Sequence, residues 1–433
     1  MVNLQQSMAH SYISLDPVDL MVQSFEKYEV RGVEMKLARL VMSVAVSLVA
    51  FSLSARAEEP LKIGVLTDMA GPYSDVTGKG SVAAAEMAAE DAGAVFGQKA
   101  VIISADHQNK ADVGSAIARR WIERENVDAI ADLVTSSVAL AVQSLANQLD
   151  RVTLISGGAS SDLTGSACVP TSVSWTYDSY SISAGLTKRV AASGAKSWFF
   201  IAPDYAFGTA LQRDASAALQ RAGGEVVGSV RPPMGASDMS SFLLTAQSKR
   251  PNVIAFASAG DDLILSIRQA HEFGLPDPNQ LLVSLFGSIY MVHALGLKSA
   301  QGTLISEAFY WDLDEQTRSF SRRFFDRVHT MPSQIHAGTY SAVLNYIRAV
   351  QKAGSRNAKT VVATLRDMHI EDMFARNAVL RADGRLVHDM YLFKVKTPEE
   401  SKAPWDYYKL EAVIPGQEAF RPLAEGGCPL VVH

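Results

Sequence analysis

Residues 61–91 read LKIGVLTDMAGPYSDVTGKGSVAAAEMAAED, and their reading decides the fold class. A short apolar run, LKIGVL, gives way to Gly-Pro turn chemistry and then, over 80–91, to an Ala-rich stretch with helical spacing. The alternation continues outward. Strands are expected at 100–108, 127–133, 152–156, 197–202, 225–231, 253–257 and 281–286, with helices at 111–124, 138–149, 179–193, 207–222, 240–248 and 262–273. Near-continuous apolar strands alternating with helices imply an α/β protein whose parallel sheets are covered on both faces, and the length fits two such sheets.

Past residue 300 the character changes. Residues 317–329, 338–353 and 360–368 read as helices, and 390–395 and 407–413 as strands. The Pro-rich, charged KTPEESKAPWD at 396–406 between those strands is a surface loop. No repeat at a period of 20 to 50 residues is found.

Composition narrows the function. The 433 residues are 48% hydrophobic and 20% charged, an ordinary globular balance that predicts two or three domains. With 40 Lys+Arg against 45 Asp+Glu, a formal charge of −5 and no basic run, the electrostatic footprint of a nucleic-acid binder is missing.

From Met35 the chain reads MKLARLVMSVAVSLVAFSLSARAEEP. Lys36 and Arg39 precede an apolar run of about 14 residues, shorter than the ~20 a spanning helix needs, and Ala55-Arg56-Ala57 completes the layout of a cleaved secretory signal. Residues 35–57 are therefore expected to be a signal peptide cut near Ala57, and residues 1–34 an untranslated or disordered extension. Residues 1–57 hold equal numbers of basic and acidic side chains, so the mature charge stays at −5. Export would place Cys168 and Cys428 in an oxidising compartment, where a disulfide between them is expected; the alternative is two isolated thiols.

Common catalytic signatures are absent: no H-E-x-x-H, paired C-x-x-C or G-x-S-x-G occurs. The segment 71–81, GPYSDVTGKGS, resembles a phosphate loop with the wrong spacing, and Gly78-x-Gly80 lacks the third glycine of a dinucleotide fingerprint. No enzyme activity, cofactor or metal is expected. Open α/β sheets bind ligands beyond the carboxyl ends of their strands. Those ends offer Tyr73 in GPYS, Ser136 and Ser137 in TSS, and Gly158, Ala159 and Ser160 in GGAS. Hydroxyls and backbone N–H groups at helix N-termini suit a carboxylate, although the same residues also serve as plain caps. The later strands contribute Tyr205 in PDYAFG and Asp262 in SAGDD; the aromatic ring supplies apolar area and the carboxylate could accept an ammonium.

These stretches, with LVTSSVALA, LISGGASSDLTG, IAPDYAFGTAL, AFASAGDDLILSIRQAHEFGL and AGTYSAVLNYIRAVQKAG, resemble the leucine/isoleucine/valine-binding protein family of bacterial ABC importers, in consistent order over nearly the whole mature chain. The resemblance implies a type I periplasmic-binding fold, with two doubly wound lobes joined by three hinge crossings near 175–177, 308–310 and 385–389. Lobe one would comprise 58–176 and 310–386, and lobe two 177–309 and 387–433. It further implies that the loops of Ser136, Ser137, Gly158, Ala159 and Ser160 bind a ligand carboxylate, that Tyr205 covers the ligand and that Asp262 holds an α-ammonium. Asp262 is shorter than the Glu usual in branched-chain binders. Trp175, Tyr177, Phe309, Tyr310 and Trp311 near the crossings resemble relatives that take aromatic or other organic acids. The implied protein is a periplasmic monomer that captures a small amino acid or organic acid by lobe closure and docks on an ABC permease. A ligand-sensing module for a membrane receptor would use the same fold.

Overall fold

A computed structural model describes residues 59–277 and 280–431; the expectations for residues 1–57 lie outside them. Strands β1 (Lys62–Thr67), β2 (Val101–Asp106), β3 (Ala129–Asp132), β4 (Val152–Ile155) and β5 (Ser172–Ser174) form one parallel sheet in the order β2-β1-β3-β4-β5. Helices α1 (Gly78–Ala92), α2 (Ala111–Arg124) and α3 (Ser136–Gln148) connect its first four strands. Every residue of β3 and β4 is buried because the sheet is covered on both faces. Alternate residues feed different cores: Ile63, Val65, Ala129 and Ala131 face one, while Leu66, Ile130 and Ile155 face the other with Trp121 and Val142. Trp121 needs Gly64 opposite it, since a Cβ there would run into the indole ring.

A second parallel sheet repeats the wiring. Strands β6 (Ser197–Ile201), β7 (Glu225–Val230), β8 (Val253–Phe256) and β9 (Leu281–Ser284) run in the order β9-β8-β6-β7. Its helices are α4 (Ser179–Ala192), α5 (Ala206–Arg221), α6 (Ser240–Ser248) and α7 (Gly260–Glu272). In each sheet the second strand lies on one side of the first and the third on the other. The order therefore reverses between first and third strands, the place where open α/β sheets open a crevice.

The remaining chain holds these layers together. After α8 (Ile289–Leu295) comes β10 (Leu304–Glu307), which pairs antiparallel with β11 (Met390–Val395), itself paired with β12 (Tyr408–Ile414). Between β10 and β11 lie α9 (Glu315–Val328), α10 (Gln334–Ala353) and α11 (Ala358–Asp367), and α10 packs along α1 and against β3 and β4. Two short strands, β5 and β10, lie outside the sequence expectation, because Ser-Val-Ser and Leu-Ile-Ser-Glu carry too little apolar pattern to announce themselves. Helices α9 and α10 begin earlier than their apolar spacing suggests. Asp314 caps the backbone N–H groups of Gln316 and Thr317, and Ser333 those of Ile335 and His336, each in a reciprocal box with the third helical residue.

Segments 175–178 and 385–389 are laced together. The fully buried Arg385 donates from Nη1 to the Tyr177 carbonyl at 2.6 Å and from Nε to that of Leu386 at 3.0 Å, and Ser174 bridges Arg385 in parallel register. Cys168 and Cys428 are disulfide-bonded, with Cα atoms 5.6 Å apart across 260 residues of sequence.

Candidate functional site

Directly beyond β1, the buried Asp68 carboxylate organises the first loop. It accepts from the backbone N–H groups of Ala70 (3.3 Å), Gly71 (2.6 Å) and Tyr73 (3.0 Å) and from Asn109 Nδ2 (2.7 Å). This fixes Tyr73 so that its ring enters the space beyond the strand ends, where it is 3% exposed. The loop's far end is tied to α10. Ser333 Oγ donates to the Val76 carbonyl at 2.7 Å, and His336 Nε2 bonds that of Thr77 at 2.9 Å.

Beyond β3, Asp132 and Leu133 both take left-handed backbone angles, φ 75° and 57°, turning the chain sharply into α3. Ser136 Oγ then accepts from the backbone N–H groups of Ala159 (3.2 Å) and Ser160 (3.0 Å), so it splices the loop after β4 to the start of α3. Gly158 is packed against Ala139 and the Leu133 carbonyl, with no room for a Cβ. Ser160 Oγ caps Asp162 N at 3.3 Å. Ser137 is half-buried in the first turn of α3, and its hydroxyl makes no hydrogen bond among those described.

The second sheet supplies the facing wall. Tyr205 occupies the N-cap position of α5 in extended conformation, and its hydroxyl hydrogen-bonds that of Tyr73. Gly260 opens α7 with φ 57° and lies against the Pro72 carbonyl, which also accepts from Asp261 N at 3.3 Å. Asp262 lies behind this contact. Both of its oxygens accept from Gly235 N, at 3.0 and 3.2 Å, and burial pushes the carboxyl up to about 6 against that hydrogen bond. Burial also pushes the Tyr73 phenol well above its usual range.

Between the walls is a cavity of about 20 Å3, room for about one water. Tyr73, Val76, Val134, Gly157, Ala159 and Ile335 line one side, and Tyr205, Phe207, Ala259 and Phe286 the other, with Tyr177 at the back. Tyr177 donates its hydroxyl to the Gly157 carbonyl at 3.1 Å, and its ring lies 5.4 Å from that of Phe286. Among the described residues, no Lys, Arg, Asp or Glu lines the cavity.

Of the residues picked out in the sequence, Tyr73, Ala159 and Tyr205 thus meet in the cavity lining. Ser136, Gly158 and Ser160 brace the loops behind it, Ser137 sits beside it on α3, and Asp262 is tied to Gly235. Val76, Val134, Phe286 and Ile335 were not singled out as site residues. Phe286 could have been found as the apolar residue just past a strand end, whereas Ile335 arrives from α10, far along the chain from the Tyr73 and Val134 loops, and no local signal marks it. Asp68 carries a turn signal, since its side chain bonds the backbone a few residues on.

Two parallel sheets that bring their reversal points to one aromatic cavity without charged side chains are the architecture of the type I periplasmic-binding fold. Residues 60–402 match the family model described as periplasmic binding protein, and the chain belongs to that family. A periplasmic binding protein from Burkholderia mallei is 41% identical, with 86% of this chain and 99% of that one aligned at a TM-score of 0.84. A branched chain amino acid ABC transporter periplasmic ligand-binding protein from Burkholderia xenovorans LB400 is 39% identical over the same shares, at 0.76. The Leu/Ile/Val-binding protein homolog 6 of Brucella abortus (strain 2308) is 25% identical over 219 residues, 49% of this chain and 55% of that protein. The chain spans about half the length of the curated relatives it matches.

Proposed function

We propose that this chain is the extracytoplasmic substrate-binding protein of a branched-chain-amino-acid-type ABC importer. It captures a small amino acid or carboxylate by closing two lobes and delivers it to a membrane permease. The observation that carries the reading is the cavity between the two sheets, bridged by the Tyr73–Tyr205 hydrogen bond. Lobe one takes residues 58–176 and 310–386, lobe two 177–309 and 387–433, and the 175–178 and 385–389 segments bound to each other by Arg385 act in the hinge. The protein works as a periplasmic monomer after removal of residues 35–57, and it binds its ligand without turning it over. Ser136, Ser137, Gly158, Ala159 and Ser160 form and brace the carboxylate wall, with Tyr73 and Tyr205 across the opening.

Within that range of ligands the lining favours a flat aromatic carboxylate. Five aromatic rings surround the cavity, and the Asp262 carboxylate, the candidate for an α-ammonium, stands outside the lining and faces Gly235 N. Titration calorimetry with benzoate and L-leucine tests both levels. Benzoate is expected to bind more tightly; tighter L-leucine binding would restore the amino-acid reading, and heat from neither would remove the site.

A further inference from the structure

Asp132 ends β3 beside Gly157, which lines the cavity, and is fully buried, and neither carboxyl oxygen has a hydrogen-bond partner among the described residues. Thr67 and Ser81 hydroxyls lie beside it and ease its charge, yet neither closes a bond of normal geometry. Its backbone carbonyl accepts from Ser156 N (3.2 Å) and Gly157 N (3.1 Å), and a Cβ on Gly157 would meet Oδ1. The carboxyl therefore underlies the Gly157 segment that lines the cavity.

Among the described residues, no cation faces it from the elements packed against it. β1 brings Asp68, whose oxygens already take four donors, and α1 brings Ser81. The 175–178 segment brings the Tyr177 phenol, and α3 the uncharged Ser136 and Ser137. From α10 comes His336, whose Nδ1 accepts from Ser333 N and whose Nε2 meets the Thr77 carbonyl, the pattern of a neutral ring. A ligand carboxylate entering this cleft would stand near a buried anion with no side-chain cation to offset the pair. Two like charges sharing a desolvated site raise the pKa of one of them strongly.

We propose that Asp132 sets the ligand charge the cleft accepts: a carboxylate is captured together with one proton from solvent, and Asp132 holds that proton. The inference rests on the carboxylate reading of the site. The ligand stays an anion, the proton completes an Asp132 carboxylic acid, and the closed complex gains no net charge. Burial already pushes Asp132 up to about 6, and a second anion nearby pushes it further in the same direction.

Calorimetry with benzoate near pH 7, in two buffers of different ionisation enthalpy, reads the proton count. Uptake close to one proton per ligand is expected, and between about pH 7 and pH 8.5 the Kd should weaken about tenfold per pH unit. Asp132→Asn, isosteric and unable to titrate, should abolish both the uptake and the pH slope. Benzoate binding without proton uptake would overturn the proposal alone, as would undiminished uptake by the variant, which would move the proton to Asp262. Failure of benzoate and L-leucine alike to bind would overturn the carboxylate reading as well. The wild-type proton count decides the matter even if the variant does not fold.

Discussion

Gly260 presses its backbone against the carbonyl oxygen of Pro72, so the loop after β8 and the loop after β1 touch with no side chain between them. Its φ of 57° lies in the left-handed region, where a Cβ costs roughly 1–2 kcal/mol. Gly260→Ala is therefore expected to wedge the two walls apart, because the new methyl would occupy the place of the Pro72 oxygen. Small-angle scattering of the free variant should show a larger radius of gyration, and ligand affinity should fall about tenfold or more, the equivalent of about 1.4 kcal/mol. An unchanged radius with unchanged affinity would show that the contact plays no part in closure.

Tyr73 and Tyr205 form the other bridge. Removing one hydroxyl leaves its partner buried and unsatisfied, at a cost of about 1–3 kcal/mol, while removing both leaves an apolar contact. Tyr205→Phe and Tyr73→Phe should each destabilise the protein in denaturant titration, and the double variant should lose less than the sum. Additive losses would mean the two hydroxyls are not coupled.

Acid stability should depend on His336. Burial holds its ring down to about 4, against about 6.5 in an unfolded chain. Below about 6.5 the unfolded chain takes up a proton that the native ring refuses, so this contribution is complete above that pH. It is lost as the pH falls toward 4, amounting to roughly 3 kcal/mol. Asp132 and Asp262, raised to about 6, act in the opposite sense, favouring the fold as the pH drops. Comparing unfolding free energies of wild type and His336→Gln across this window isolates the histidine; equal slopes would refute its role.

The Cys168–Cys428 bridge closes a loop of 260 residues, which on chain-entropy grounds constrains the unfolded state by about 5.6 kcal/mol. Replacing both cysteines with Ala should lower the denaturation midpoint strongly while leaving ligand affinity nearly unaltered, since neither residue lines the cavity. A midpoint within error of wild type would show that packing of the tail suffices.

Much of this architecture was legible because each central strand is buried on both faces and so appears as a short apolar run ended by small or polar residues. Ala129–Asp132 and Val253–Phe256 are such runs, although the helices after them begin at Ser136 and Gly260, two residues earlier than their apolar spacing suggests. Less legible were features made by distance. Nothing near Ile335 says that its helix will reach the cavity, and Asp132 reads as the polar end of a strand until the fold buries it without a partner. Ser136 was equally ambiguous between cap and ligand group. In the folded chain its hydroxyl accepts two N–H groups from another loop, a use that neither local reading anticipates.

The smallness of the cavity has a kinetic corollary. With space for about one water behind the Tyr73–Tyr205 bridge, no solute larger than that can be admitted to the conformation described. Association must pass through molecules in which the bridge has parted, and the observed rate should level off at the bridge-opening rate as solute concentration rises. Stopped-flow fluorescence of the cleft's tyrosines would display that plateau, and its height would measure how often the unoccupied protein opens.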